Sequence, residues 1–216
     1  EALLRMVGDD GQPIEAYRVV RAAERHGLMG TIDRWMLEEV LSWIETHPEA
    51  QDRLAFVNLN LSGASLNDER FVDNALALLR ERSTAARKLC IEIIESVALY
   101  DLANMRRLID KVKNCGVLVA LDDFGAGYTS FNYLRELPAD LLKIDGGFVR
   151  LMAQDAPSRG ITRMIIELAH ELNMGCVAEA AESPEILRLL KGMKVDYAQG
   201  YAICPPLSPD AVLAAA

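Results

Sequence analysis

At 216 residues, with 51% hydrophobic and 25% charged side chains, the chain is long enough for one large soluble domain with a substantial core. Its formal net charge of -9 argues against a general polyanion binder, because no basic surplus exists to neutralise a DNA or RNA duplex; one nucleotide held through metal ions remains compatible. Cys90, Cys115, Cys176 and Cys204 are scattered without a Cys-x-x-Cys pair and read as reduced thiols of a cytoplasmic protein, and no apolar run is long enough for a membrane span or signal peptide.

The chain opens on Glu1-Ala2-Leu3-Leu4-Arg5 without an initiator Met, which predicts a segment cut from a longer polypeptide. Residues 15–26 have helical spacing and stop at Gly27, a favoured residue after a helix end. A second helix is predicted over 31–44, with Thr31 as its cap and Trp35, Met36, Val40, Leu41 and Ile44 as one apolar stripe. The aromatic residues of both helices are expected in the core. Strand-like runs then recur. Residues 54–61 carry Asn58 and Asn60 on one face, and 88–94 hold Glu92 with Glu95 just beyond. A helical stripe through Leu102, Met105, Leu108, Ile109 and Val112 closes at Gly116. The apolar run 117–121 ends in Asp122-Asp123-Phe124-Gly125-Ala126-Gly127, and 140–145 places Lys143 among apolar neighbours. After a helical stripe through Ile161, Met164, Ile165, Leu168 and Leu172, residues 175–178 run into Glu179 and 195–198 into Gln199-Gly200.

Strand–helix alternation of this pitch implies βαβ units and a parallel sheet, either doubly wound or closed into a (β/α)8 barrel. Polar residues stand near the C-terminal end of nearly every strand, which favours the barrel, whose rim gathers residues from many strands. That rim would collect Glu1, Glu92, Asp122, Asp123 and Glu179, with Asn60, Lys143 and Gln199 beside them. Two carboxylates about 4 Å apart repel by ~4 kcal/mol at an effective dielectric of 20. A set of them therefore calls for protonation or for bound cations. Oxygen ligands favour hard ions such as Mg²⁺, Mn²⁺ or Ca²⁺, and two adjacent acids can serve two ions if one bridges. Any single acid here has a blander reading as a helix or turn cap, and a lone lysine is by default a snorkelling surface residue. His26, His47 and His170 lie on helical or loop stretches and are expected in solvent or core. Asp123-Phe124-Gly125 lacks the other motifs of a kinase, and Gly125-x-Gly127 is too short for a dinucleotide fingerprint.

Seven motifs in order, covering essentially the whole chain, resemble the EAL-domain cyclic di-GMP phosphodiesterases. They are Glu1-Ala2-Leu3-Leu4-Arg5, Asn60-Leu61-Ser62, Glu92-Ile93-Ile94-Glu95, Asp122 through Ser130, Leu142-Lys143-Ile144-Asp145, Ala178-Glu179-Ala180-Ala181-Glu182 and Gln199-Gly200-Tyr201. The resemblance implies a modified (β/α)8 TIM-like barrel that hydrolyses cyclic di-GMP to linear pGpG with Mg²⁺ or Mn²⁺, in bacterial second-messenger signalling. Ca²⁺ is expected to bind without supporting turnover. By motif, Glu1, Asn60, Glu92 and Asp122 resemble the ligands of one ion, and Asp122, Asp123 and Glu179 those of a second. Lys143 resembles the residue that holds the attacking water, and Gln199 one that orients ligands or water; with Glu1 and Glu179 they form the expected catalytic set. Leu3 and Arg5 resemble dinucleotide contacts. Glu95 resembles an acid that steadies the loop after Asp123, whose glycines are expected hinges, and Glu182 an acid at the site's edge.

The resemblance further implies a homodimer and covalently linked sensory or GGDEF domains, with no membrane contact by this segment; other domains could anchor a longer protein. The sequence departs from the family at Ala180 and Ala181, where Gly-Val is usual, and at Ala126 and Arg21, which replace a common Thr and Pro. An alanine beside Glu179 would perturb that loop if φ must be positive. The Gln-Pro strand normally found upstream is absent, so an N-terminal piece is expected to be missing. A catalytically inactive cyclic di-GMP receptor is the alternative reading. An unrelated barrel metalloenzyme, such as an enolase-like lyase, would leave the motif matches as coincidence.

Overall fold

A computed structural model describes residues 1–127 and 131–215; Tyr128, Thr129 and Ser130 of the loop motif lie outside the described residues. The chain divides into two compact units, Glu1–Glu92 with Lys111–Val117 and Ile93–Asp110 with Leu118–Ala216.

The first unit begins with β1 (Met6–Val7) and β2 (Pro13–Ile14), an antiparallel pair in which Met6 faces Ile14. Helix α1 (Ala16–His26) ends as predicted at Gly27, which takes a left-handed φ of 65° that costs a glycine little. Helix α2 (Met29–Thr46) starts two residues before the predicted cap, so Thr31 lies inside it, and no side chain caps its first turn. Its buried stripe is Leu37, Val40, Leu41 and Ile44, a spacing of three and four residues. Trp35 and Tyr17 are instead 48% and 67% exposed, which corrects the expectation that these aromatics fill the core. Both sit off the side of their helix that the aliphatic residues claim.

After α3 (Pro48–Arg53), β3 (Val57–Asn60) pairs in parallel with β4 (Leu89–Ile94), Asn60 opposite Glu92. Between them lie α4 (Gly63–Leu66), α5 (Glu69–Glu81) and α6 (Ser83–Ala86). The chain's first residues join this sheet through a parallel bridge from Ala2 to Leu59, with the Ala2 amide donating to Asn58 O at 2.8 Å. Buried Asp33 on α2 accepts from the Ser62 amide at 2.9 Å and the Ser65 hydroxyl at 2.6 Å, which fixes the turn leaving β3.

Strand β4 belongs to both units, its last two residues to the second. From there the chain continues through α7 (Glu95–Tyr100), α8 (Leu102–Lys113, whose last three residues belong to the first unit), β5 (Leu118–Phe124), a 3₁₀ turn at Phe131–Arg135 and β6 (Leu141–Ile144). Next come α9 (Gly146–Leu151), α10 (Ala156–Glu171), β7 (Gly175–Ala178), α11 (Pro184–Gly192), β8 (Tyr197–Ala198) and α12 (Pro209–Ala215). Within this unit the strand order is the end of β4, then β5, β6, β7 and β8, and the pairs from β5 to β8 are all parallel. Strands β5 to β7 are buried almost throughout, as apolar strands covered on both faces must be. No helix among the described residues is long and apolar enough to cross a membrane.

Candidate functional site

Strand β5 differs from its predicted form in one respect that matters. The run was expected to stop at Leu121, with the two acids beyond its tip; the strand instead continues through Asp122 and Asp123 to Phe124. Against β6, Leu121 faces Leu142 but Phe124 faces Ile144, so three steps on β5 answer two on β6. The extra residue is a bulge, and Asp123 there takes a left-handed φ of 56°. In a regular strand consecutive side chains point to opposite faces. The bulge cancels that alternation: Asp122, Asp123 and Glu179 each offer a carboxylate oxygen, all within 4.8 Å of one another. Aspartate is among the residues that tolerate a positive φ best.

Lys143 lies against this group. Its ammonium is 2.7 Å from Glu179 Oε1 and 3.1 Å from Asp122 Oδ1, and its side chain is completely buried. The default reading of a snorkelling surface lysine therefore fails. The Asp122 contact is an ion pair without hydrogen-bond alignment. At an effective dielectric of 20 the two attractions amount to roughly 6 and 5 kcal/mol before desolvation. Three carboxylates at the outer limit of 4.8 Å repel by about 3.5 kcal/mol per pair on the same scale. With one lysine among them, three formal negative charges against one positive leave a surplus that suits a divalent cation. Opposite oxygens on one Mg²⁺ stand about 4.2 Å apart. The spread of these three oxygens is close enough for small side-chain rotations to close it, and the all-oxygen donor set fits a hard ion.

Glu179 follows the last residue of β7 and precedes Ala180, whose φ is 50°. The departure from the usual glycine therefore places an alanine where φ is indeed positive, at a cost of about 1–2 kcal/mol. The Ala181 amide donates to Gln199 O, and the Gln199 amide to Ala178 O, both at 2.9 Å, so the backbone of Gln199 ties the two motif loops together. Gly200 explains itself by contact: a Cβ there would sit 2.4 Å from the backbone N and O of Ala181.

The first unit holds a second polar group. Asn60 Nδ2 donates to Glu1 Oε1 and to Glu92 Oε2, both at 2.8 Å, with Glu92 completely buried and Glu1 and Asn60 at the surface. Here Nδ2 faces the carboxylates, so an Asn60 acting as an oxygen ligand beside them would have its amide turned over. Leu3 is 42% exposed, and the exposed Arg5 guanidinium donates to the Leu4 carbonyl at 2.9 Å.

Glu95 is buried at the start of α7. Its Oε2 accepts from the Gly125 amide at 3.2 Å, and its Oε1 accepts from the Tyr133 hydroxyl in a short hydrogen bond. Gly125 has a φ of 95°, and a Cβ there would lie 3.0 Å from the Phe148 ring. Burial and the neighbouring Glu95 carboxylate raise the Tyr133 hydroxyl far above the usual tyrosine pKa, so it remains a donor. Glu182, half exposed, lies 3.7 Å from Arg150 on α9. Sequence reasoning missed Asp33 and Tyr133. Asp33 was detectable as an acid four residues before Leu37 on the buried stripe of its helix, whereas Tyr133 carried no periodic signal.

Parallel strands alternating with helices, together with the likeness to the solved structures given below, make the fold a modified (β/α)8, TIM-like barrel, in which active sites lie at the C-terminal ends of the strands. The EAL domain profile matches residues 1–206, and the chain belongs to the EAL domain family. It is 34% identical to the cyclic di-GMP phosphodiesterase PdeB of Shewanella oneidensis over 95% of this chain and 24% of the relative. It is also 34% identical to the cyclic di-GMP phosphodiesterase PdeF of Escherichia coli, over 95% of this chain and 27% of the relative. The chain thus spans about a quarter of the length of these curated relatives. Among solved structures, the PaMucR phosphodiesterase in complex with c-di-GMP superposes with a TM-score of 0.88 at 29% identity, covering 97% of this chain and 85% of that one. The FimX EAL domain from Pseudomonas aeruginosa, bound to c-di-GMP, gives 0.83 at 26% identity, with 94% and 81% covered.

Proposed function

We propose that this chain is a metal-dependent phosphodiesterase domain that hydrolyses cyclic di-GMP to linear pGpG. The observation that carries the reading is the buried Lys143 held between Asp122 and Glu179, with Asp123 brought onto the same group by the bulge. The names of the relatives support the substrate, and the oxygen-only donor set supports Mg²⁺ or Mn²⁺.

Asp122, Asp123 and Glu179 would hold one ion, and Glu1 and Glu92 would serve a second with the Asn60 amide turned to present its oxygen. Divalent ions supply charge neutralisation and a lowered pKa for the attacking water. Lys143 donates from its ammonium to that water and orients it, because the side chain has no exposed surface through which to turn away. Water adds at phosphorus, the bond to one ribose oxygen breaks, and that oxygen leaves with a proton, giving one phosphomonoester end. Arg5 is suited to a phosphate of the dinucleotide, Leu3 to an apolar contact, and Gln199 to positioning ligands or water. Glu95 steadies the backbone after Asp123. The domain is further proposed to act as a homodimer; that it belongs to a longer signalling polypeptide is supported by the length of the curated relatives.

The test is incubation of the protein with cyclic di-GMP and Mn²⁺, followed by chromatography for pGpG. Turnover that disappears in Asp122→Ala supports the reading. Tight binding without pGpG would replace it with a receptor, and no binding would remove both.

A further inference from the structure

The proposed metal ligands do not by themselves explain why β5 adopts its bulge. A positive φ at a non-glycine residue persists only where the surroundings impose it, and several groups hold the chain just after Asp123. The Gly125 amide donates to Glu95 Oε2, and a Cβ on Gly125, at its φ of 95°, would crowd the Phe148 ring at 3.0 Å. Phe124 is completely buried, its ring 6.0 Å from that of Phe131. The Glu95 carboxylate is itself buried, and a buried carboxylate with a free rotamer would not specify one partner. Tyr133 removes that freedom: its hydroxyl occupies Oε1, which leaves Oε2 directed at Gly125.

We propose that Tyr133 is a positioning residue for the metal group, acting through Glu95 and the Gly125 amide to hold the Asp123 bulge. This rests on the metal-dependent reading of Asp122, Asp123 and Glu179, and it adds a residue that contacts neither metal nor substrate. A phenol placed 38 residues from its carboxylate in sequence, buried and kept protonated, acts on that carboxylate as a donor. Loss of a hydrogen-bonding partner behind metal ligands typically weakens metal affinity 10–100-fold.

The experiment is calorimetric titration of the intact protein with Mn²⁺ alone, for the parent, Tyr133→Phe, Glu95→Gln and the double variant, with exchange of the Gly125 amide monitored in parallel. Tyr133→Phe is expected to weaken Mn²⁺ about tenfold and to speed Gly125 exchange by a similar factor. Glu95→Gln is expected to lose less, because the new amide can donate to the Tyr133 oxygen while its carbonyl still accepts from Gly125. The double variant should fall no further than Tyr133→Phe, since both act on one path. Ile44→Val, a buried substitution in the other unit, controls for a general loss of stability and should leave Mn²⁺ affinity unchanged. Mn²⁺ affinity within twofold of the parent in Tyr133→Phe, or independent multiplicative effects of the two substitutions, would overturn the proposal. A parent that binds Mn²⁺, responds as described and yields no pGpG would sink the phosphodiesterase reading and leave this one standing.

Discussion

Replacing Lys143 with methionine keeps the length of the side chain and removes its charge. The ammonium is fully buried, while its partners Asp122 and Glu179 keep 12% and 22% of their side-chain surface in solvent. The gross attraction of roughly 11 kcal/mol at a dielectric of 20 overstates the effect, because burying the ammonium costs several kcal/mol. Breaking a buried pair by removing one partner typically costs 3–5 kcal/mol. Water access at the two carboxylates places this case near the lower end, about 3 kcal/mol. For a chain of this size that lowers Tm by roughly 6–12 °C. The assay is thermal unfolding in EDTA and again with Mn²⁺. A metal present at 100 times its Kd adds about 2.7 kcal/mol, so Mn²⁺ should bring the variant close to the parent's value in EDTA while pGpG formation stays abolished. A Tm in EDTA within about 2 °C of the parent would refute the claim that Lys143 neutralises this acid group.

Ala180→Gly should stabilise the protein by roughly 0.5–1 kcal/mol, the relief of the positive φ outweighing the added freedom of the unfolded chain, and urea midpoints measure it. Gly146→Ala, whose Cβ would lie 2.9 Å from that of Ala180, should be destabilising alone and tolerated in the Ala180→Gly background. Gly200→Ala should cost about 2–3 kcal/mol and disturb the loop after Glu179, because the new methyl meets backbone atoms of Ala181 that cannot rotate away. Amide exchange at Ala181 would show the loosening, and unchanged exchange would contradict it. Asp196 is held below the ordinary aspartate pKa: burial opposes this, but the Cys176 amide and His170, each at 2.8 Å, outweigh it. Its contribution is therefore complete above the unfolded pKa of about 3.9 and is lost as pH falls through the lower folded value. Asp196→Asn should flatten the acid limb of a urea-midpoint profile below about pH 4, and an acid limb as steep as the parent's would contradict this.

The sequence by itself determined the parallel strands, the longer helices α1, α2, α8 and α10 and the candidates for the site, and favoured the barrel, because apolar periodicity and the polar residues at strand ends are local signals; the short antiparallel β1–β2 pair carries too few residues to show a period. The end of α1 at Gly27 and the helix closing near Gly116 were legible for the same reason. The tertiary structure decided what local signals cannot carry. Trp35 belongs to an amphipathic helix whose buried face is chosen by what packs on it, and the aliphatic residues hold that face. Lys143 became a buried charge only when two acids distant in sequence closed around it. Tyr133 acquired a partner 38 residues away. Asp122 and Asp123 are the clearest case. Their identity and order stand in the sequence, but strand alternation would send them to opposite faces. Only the register shift against β6, with a left-handed Asp123, brings both carboxylates to Glu179, because one extra residue in a strand reverses the facing of every residue after it.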